Sequence, residues 1–137
     1  TGPAFSAYAN ANTTLTAATF TKILFQVEEY DTNNNFASST FTPTVAGYYK
    51  VTVYWEGNTF TTSYSYAAIY KNGSSWKRAG FTSSATGSGT TAAIVTADIY
   101  LNGSTDYIEA YGLNGTGTAA TAGQATCYFQ AVMVRSA

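Results

Sequence analysis

Histidine is absent from this chain, and cysteine, methionine and proline number one, one and two. Without histidine there is no Ser-His-Asp triad, no usual general base near neutral pH and none of the commonest metal ligand. A lone cysteine, Cys127, excludes an internal disulfide and a Cys-based zinc site. Charge is scarce too: 9% of the 137 residues are charged, against about 25% in ordinary soluble domains, and the formal net charge is -1. That balance excludes a basic nucleic-acid footprint and an acidic tail. No apolar run approaches the roughly 18 residues of a membrane-spanning helix, and no secretory or targeting segment is read at the start. Leucine, a strong helix former, occurs only four times.

What remains is 45% hydrophobic, so the low charge does not signal disorder. There are 12 Tyr, 8 Phe and 2 Trp, with abundant Thr, and these residue types fit pleated, half-buried surfaces. The length is that of one domain able to bury about two thirds of its unfolded surface. We expect one all-β domain over residues 4–137, with residues 1–3 reading as the end of a stalk or linker.

Short strand candidates alternate with Gly/Asn/Ser/Thr turns, as in sandwiches and barrels. The predicted strands are Ala4 to Ala9, Phe20 to Val27, a short one around Phe41, Tyr48 to Trp55, Tyr64 to Tyr70, Trp76 to Phe81, Thr91 to Leu101, Tyr107 to Tyr111 and Ala125 to Val134. In the fourth main run Tyr49, Val51, Val53 and Trp55 share one face, and Tyr48, Lys50, Thr52 and Tyr54 the other. Asn72-Gly73 and Asn102-Gly103 are read as hairpin turns. Strands of alternating direction would put the tight turns at one end. The longer polar loops, Glu56 to Ser63, Thr82 to Thr90 and Leu113 to Gly123, would lie at the other. Long loops carry entropic cost and are often kept for function, so that end is the expected working surface, facing away from the C-terminus.

Several segments fall in a familiar order. Ala4-Phe5-Ser6-Ala7 opens the domain; Phe25, Asp31 and Phe36 keep an aromatic–acid–aromatic spacing; Phe41, Gly47 and Tyr49 follow; and Lys71-Asn72-Gly73 closes the next strand. In this the sequence resembles the globular head of complement component 1q, within the tumour-necrosis-factor-like jelly rolls. Phe36 and Phe41 stand closer together than that pattern expects, and Val51 and Val53 replace its aromatics. The resemblance implies a two-sheet antiparallel jelly-roll sandwich that assembles as a homotrimer, often at the end of a fibrous stalk. It also implies that Phe5, Tyr49, Val51, Val53, Phe129 and Ala131 fill either the interior or the subunit contact. A monomer with this little charge and this many aromatics would expose large apolar patches, which also favours assembly.

Candidate chemistry is sparse. Glu28-Glu29-Tyr30-Asp31, with Asn33 and Asn35, begins like a calcium loop, but an EF-hand would need Gly and Glu where Phe36 and Thr42 stand. It reads as a solvated turn; calcium binds some complement-1q-like heads, so the resemblance leaves a weak site open. No other cofactor is expected. A glycosidase could use two carboxylates held a few ångströms apart, and Asp98 and Asp106 could face each other across the Asn102-Gly103 hairpin, though they read as hairpin-edge residues. Lys77-Arg78 reads as a solvated strand face. Cys127 reads as a buried structural thiol, with no histidine to activate it. Asn12, Asn72, Asn102 and Asn114 each open a glycosylation sequon, as chance explains in so Asn- and Thr-rich a chain.

Beside the long loops, Trp55, Phe60, Tyr64 and Tyr111 are the candidate ligand contacts, because Tyr and Trp offer large rigid area with a polar tip. Ser84, Thr86, Asn114, Thr116 and Thr118 could hydrogen-bond a neutral sugar or a protein without charge. The expected function is a non-enzymatic trimeric recognition head at a fibre tip, on a phage tail fibre or needle or a bacterial surface, binding a cell-surface glycan or protein receptor. A capping domain that only registers stalk chains, and a fibre-tip glycan hydrolase, are the alternatives. Neither nucleic acid nor membrane insertion is expected.

Overall fold

A computed structural model describes residues 2–57, 63–83 and 90–137, with the side chain of Ser83 left aside. Among the described residues there is no helix. The strands are β1 (Ala4–Ala9), β2 (Thr13–Leu15), β3 (Thr21–Lys22), β4 (Val27–Asp31), β5 (Phe36–Ala37), β6 (Thr40–Phe41), β7 (Gly47–Gly57), β8 (Ser63–Lys71), β9 (Ser74–Ser83), β10 (Thr91–Leu101), β11 (Ile108–Asn114), β12 (Thr118–Ala120) and β13 (Gly123–Ser136). They form two antiparallel sheets. The first runs β2-β12-β7-β13-β1-β4 with β10 also on β7; the second runs β5-β6-β11-β8-β9 with β3 also on β11.

The alternation of β7 sets the sandwich. Tyr49, Val51, Val53 and Trp55 are fully buried, while Tyr48, Lys50, Thr52 and Tyr54 face outward. Opposite them β13 buries Cys127, Phe129 and Ala131. The aromatic centre of the core is Phe5, stacked on Phe36 at 4.5 Å and Phe41 at 4.6 Å and edge-on to Phe129 at 4.9 Å. Burying each such ring contributes roughly 1.5–3 kcal/mol. Tyr49 keeps its hydroxyl satisfied by donating to the Val45 carbonyl at 2.6 Å, and burial pushes that phenol up to about 12.

Three local expectations are corrected. The run Phe20 to Val27 is not one strand: β3 covers only Thr21–Lys22, and pairing resumes at Val27 in β4. The acidic segment expected as a turn is β4 itself, an edge strand on β1, where exposed carboxylates suit a position with one open side. Asn102-Gly103 is not a hairpin turn, because β10 pairs β7 while β11 pairs β8, β6 and β3, so the segment crosses between sheets. Asn102 builds that crossing: its Oδ1 accepts the N–H groups of Ser104, Thr105 and Asp106 at 2.9–3.0 Å. Asn72-Gly73 does join paired strands, β8 and β9, with φ of 51° and 80°. A second turn of that kind, Ser38-Ser39 between β5 and β6, has φ of 51° and 58° without any glycine.

Candidate functional site

The register gathers the borders of the expected long loops at one end. The third of them, Leu113 to Gly123, is not a loop throughout: Leu113 and Asn114 end β11, and Thr118–Ala120 form β12, paired with β2 and β7. Gly57 lies opposite Thr91, Ser63 opposite Ser83, and Ser65 opposite Asn114. At the other end Gly47 lies opposite Leu101 and Ser136, and the Ala137 N–H donates to the Ala46 carbonyl at 3.1 Å. The N-terminal strand begins there as well, with Ala4 opposite Val132.

A buried polar tie underlies the loop end. Asn114, 2% exposed, donates from Nδ2 to Ser65 Oγ at 3.0 Å, and that oxygen meets Thr91 Oγ1 at 2.8 Å. Asn114 Oδ1 accepts the N–H and hydroxyl of Thr116 at 3.1 and 3.0 Å, and its carbonyl accepts the N–H of Ala18 at 2.9 Å. One side chain thus joins β11, β8, β10 and the following turn. Such a fully paired network fixes backbone position where water would otherwise compete.

Of the candidate ligand contacts, Tyr64 and Thr116 are exposed at this end. Trp55 is not available: it is fully buried and its indole N–H donates to the Tyr66 carbonyl at 3.0 Å. Asn114 and Thr118 are also buried, because they belong to the supporting layer. Tyr111 lies mid-strand on the outer face of the second sheet, stacked on Tyr70 at 3.7 Å, and so away from the loops. Phe60, Ser84 and Thr86 lie outside the described residues. Phe5, Tyr49, Val51, Val53, Phe129 and Ala131 all fill the chain's own interior, which removes them from any contact between subunits.

The acidic groups have separate employment. Asp98 pairs with Lys50 at 3.3 Å on the first sheet, whereas Asp106 takes Lys71 at 3.2 Å and Asn72 Nδ2 at 2.8 Å at the sheet crossing. They do not form a facing pair. The hydrogen bond from Asn72, with Lys71 and the Asn102 N–H, holds the Asp106 carboxyl below the usual range. Glu29 accepts from Ser6 at 2.6 Å and from Gln124. Asp31 caps the Phe36 N–H at 2.7 Å with Oδ2, leaving Oδ1 buried without a protein partner. Asn35 Oδ1 accepts the Thr44 N–H at 3.2 Å. Among the described residues no three acidic, His or Cys side chains converge on one point. Cys127 is buried, which pushes its thiol up to about 12 and leaves it unreactive.

The outward face of the first sheet is a surface that the candidate residues missed. One row across it reads Ile94, Tyr54, Tyr128, Tyr8; the next Thr96, Thr52, Gln130, Ser6, Tyr30; the next Asp98, Lys50, Val132. Tyr48 and Tyr100 follow, 5.5 Å apart. Tyr30, Tyr48, Ile94 and Val132 are each 45–50% exposed here. Burial, aided by the Glu56 carboxylate that accepts its hydrogen bond at 2.5 Å, pushes the Tyr54 hydroxyl up to about 12. The signal was in the sequence, in the second alternation of Tyr48 to Tyr54, which the sequence pattern places on the opposite face without giving it a role.

No family model matches the chain, and no curated protein matches it in sequence. Solved structures do. The globular domain of zebrafish complement 1qA protein is 15% identical, covers 98% of this chain and 99% of its own, and superposes with a TM-score of 0.69. Murine APRIL at pH 8.0 is 9% identical over 98% of this chain and 100% of its own, at 0.72. Eiger TNF from S. frugiperda is 10% identical over 100% and 96%, at 0.76. At these identities the likeness is one of architecture, and the chain has the two-sheet jelly-roll fold of complement-1q and tumour-necrosis-factor domains.

Proposed function

We propose that the chain is a non-enzymatic recognition head that works as a homotrimer, with the outward face of the first sheet sealed against other copies. The observation that carries this reading is that face itself. Its exposed Tyr, Ile and Val side chains flank a central row of Thr, Gln and Ser and one exposed ion pair, an aromatic-rich, charge-poor composition that suits an interface. The likeness to complement-1q and tumour-necrosis-factor structures supports the same arrangement. In the assembly the loop end, opposite both chain ends, is the surface offered to a cell-surface glycan or protein receptor. The low charge and the richness in Ala, Thr, Asn and Gly fit a phage tail-fibre or tail-needle tip or a bacterial surface protein, acting outside the cell.

Sedimentation equilibrium tests the assembly. The chain is expected at three times its 14.5 kDa, and Ile94→Asp with Val132→Asp is expected to release folded monomers. A wild-type chain that stays monomeric at micromolar concentration overturns the reading. Whole-cell binding by the trimer, weakened by substitutions at Tyr64 and Thr116, supports recognition. A trimer that binds no cell or glycan supports a capping role instead.

A further inference from the structure

We propose that the outer face of the second sheet holds a site for a carboxylated pyranose, with Arg78 as the carboxylate anchor and Phe20, Tyr66 and Tyr70 as the stacking surface. The proposal rests on the reading of the chain as a recognition head and adds to the loop end a second, separate surface with its own ligand class.

Four separate segments meet on this face. Ala68 of β8 is fully buried although it points outward with Tyr66 and Tyr70, since Arg78 of β9 lies opposite it on one side and Tyr111 of β11 on the other. Phe20, from the segment before β3, lies with its ring centroid 6.3 Å from Tyr66 and 5.9 Å from Tyr70. The Arg78 guanidinium sits over both kinds of ring, 5.1 Å from the Tyr66 centroid and 5.8 Å from that of Phe20. The rings are half-buried and Arg78 is exposed, so the cluster is a surface with a solvent rim.

Charge decides the ligand. Among the described residues the ion pairs use Lys22, Lys50 and Lys71, and no acid pairs with Arg78. The acid nearest in sequence to Tyr111, Glu109, is taken by Lys22 at 2.5 Å and by the Thr40 hydroxyl at 3.3 Å. The Arg78 guanidinium therefore has no ion-pair partner among the described residues and is open to an anion from outside. A guanidinium fork matches a carboxylate in two hydrogen bonds, and its position over rings pre-orients it. Ring faces beside it suit the C–H face of a pyranose, and the phenols can exchange hydrogen bonds with sugar hydroxyls. One cation on a chain of net charge -1 does not suit a nucleic-acid strand.

The test is binding of the intact chain to glycans ending in glucuronate, galacturonate or N-acetylneuraminate, beside glucose, galactose and N-acetylglucosamine. Acidic termini should bind and neutral ones should not. Uronate-only or neuraminate-only binding identifies the source, and either supports the site. Arg78→Gln should weaken the bound probe about tenfold or more with an unchanged melting midpoint, and Arg78→Lys should lose part of the affinity. Asn114→Ala with Thr116→Ala should leave it intact. Absence of acidic-glycan binding, equal binding of neutral termini, or full binding by Arg78→Gln overturns the site. Whole-cell binding by a chain that takes no acidic glycan would overturn this site while leaving recognition standing, whereas a monomeric chain that still binds acidic glycans through Arg78 would overturn the trimeric reading and leave the site.

Discussion

Phe129 and Gln130 are adjacent on β13 but face opposite sides of the first sheet, so substituting each tests which side is the interior. Phe129 is fully buried, with the ring centroids of Phe5, Phe25 and Phe36 at 4.9, 5.6 and 6.1 Å. Phe129→Leu keeps a large apolar side chain but surrenders three ring contacts, worth about 0.5–1.5 kcal/mol each. Neighbouring contacts share partners and do not add fully, so the expected cost is about 2–3 kcal/mol. Phe129→Ala should cost about 3–5 kcal/mol, a large part of the 5–15 kcal/mol typical of a folded domain. At this chain length about 3–4 °C of melting midpoint corresponds to 1 kcal/mol, so the Leu variant should melt roughly 6–12 °C lower. Gln130→Ala, exposed in the single chain, should fall within about 0.5 kcal/mol. Circular-dichroism melts at two protein concentrations separate core stability from the contribution of assembly. A Phe129→Leu midpoint within about 2 °C of the parent at both concentrations would refute the assignment of this face to the core.

Asp106 is held in its charged form by Asn72, Lys71 and the Asn102 N–H, so its folded pKa lies below the unfolded one. It therefore contributes stability above about pH 4 that is lost as pH falls through the folded value, and Asp106→Asn should flatten the acid limb of a stability–pH profile. Asn114→Ala should cost about 1–2 kcal/mol in chemical denaturation, because Ser65 keeps Thr91 as a partner at 2.8 Å and no buried hydroxyl is orphaned. Ser38→Gly should raise the melting midpoint: relieving a φ of 51° returns about 1–2 kcal/mol, against about 0.4–1 lost to the freer unfolded chain. A lower midpoint for that variant would show that the turn is not strained.

The long strands were legible because one face of each is buried. Thr91–Leu101 has the bounds the sequence suggested, and β7 and β13 extend theirs by a few residues. Strict alternation leaves little freedom of register, and hence little doubt about which residues share a face. It does not say what covers the other face when both carry aromatics, which is why the outward tyrosines of β7 were not among the candidate contacts. Val27–Asp31 escaped because an edge strand tolerates charges that a turn also carries. Asn102-Gly103 was misread because the same dipeptide serves hairpins and Asx-turns alike; only the pairing of β11 with β8 separates them. Trp55 looked like a loop aromatic by position, yet strand β7 carries it into the core two residues before its end. The Phe20–Arg78 cluster could not be seen at all in the sequence, since its members are far apart along the chain and meet only across β8.

The tie through Ser65, Thr91 and Asn114 works as a floor between the aromatic interior and the segments above it. Its bonds among three strands hold it in place, and above it, among the described residues, Asn114 reaches only Thr116 and Gly117 of the next turn and Ala18. Loops of other length or composition could be grafted there without the Phe5 cluster registering the change, so the scaffold would tolerate repeated replacement of its tip while its walls stayed the same.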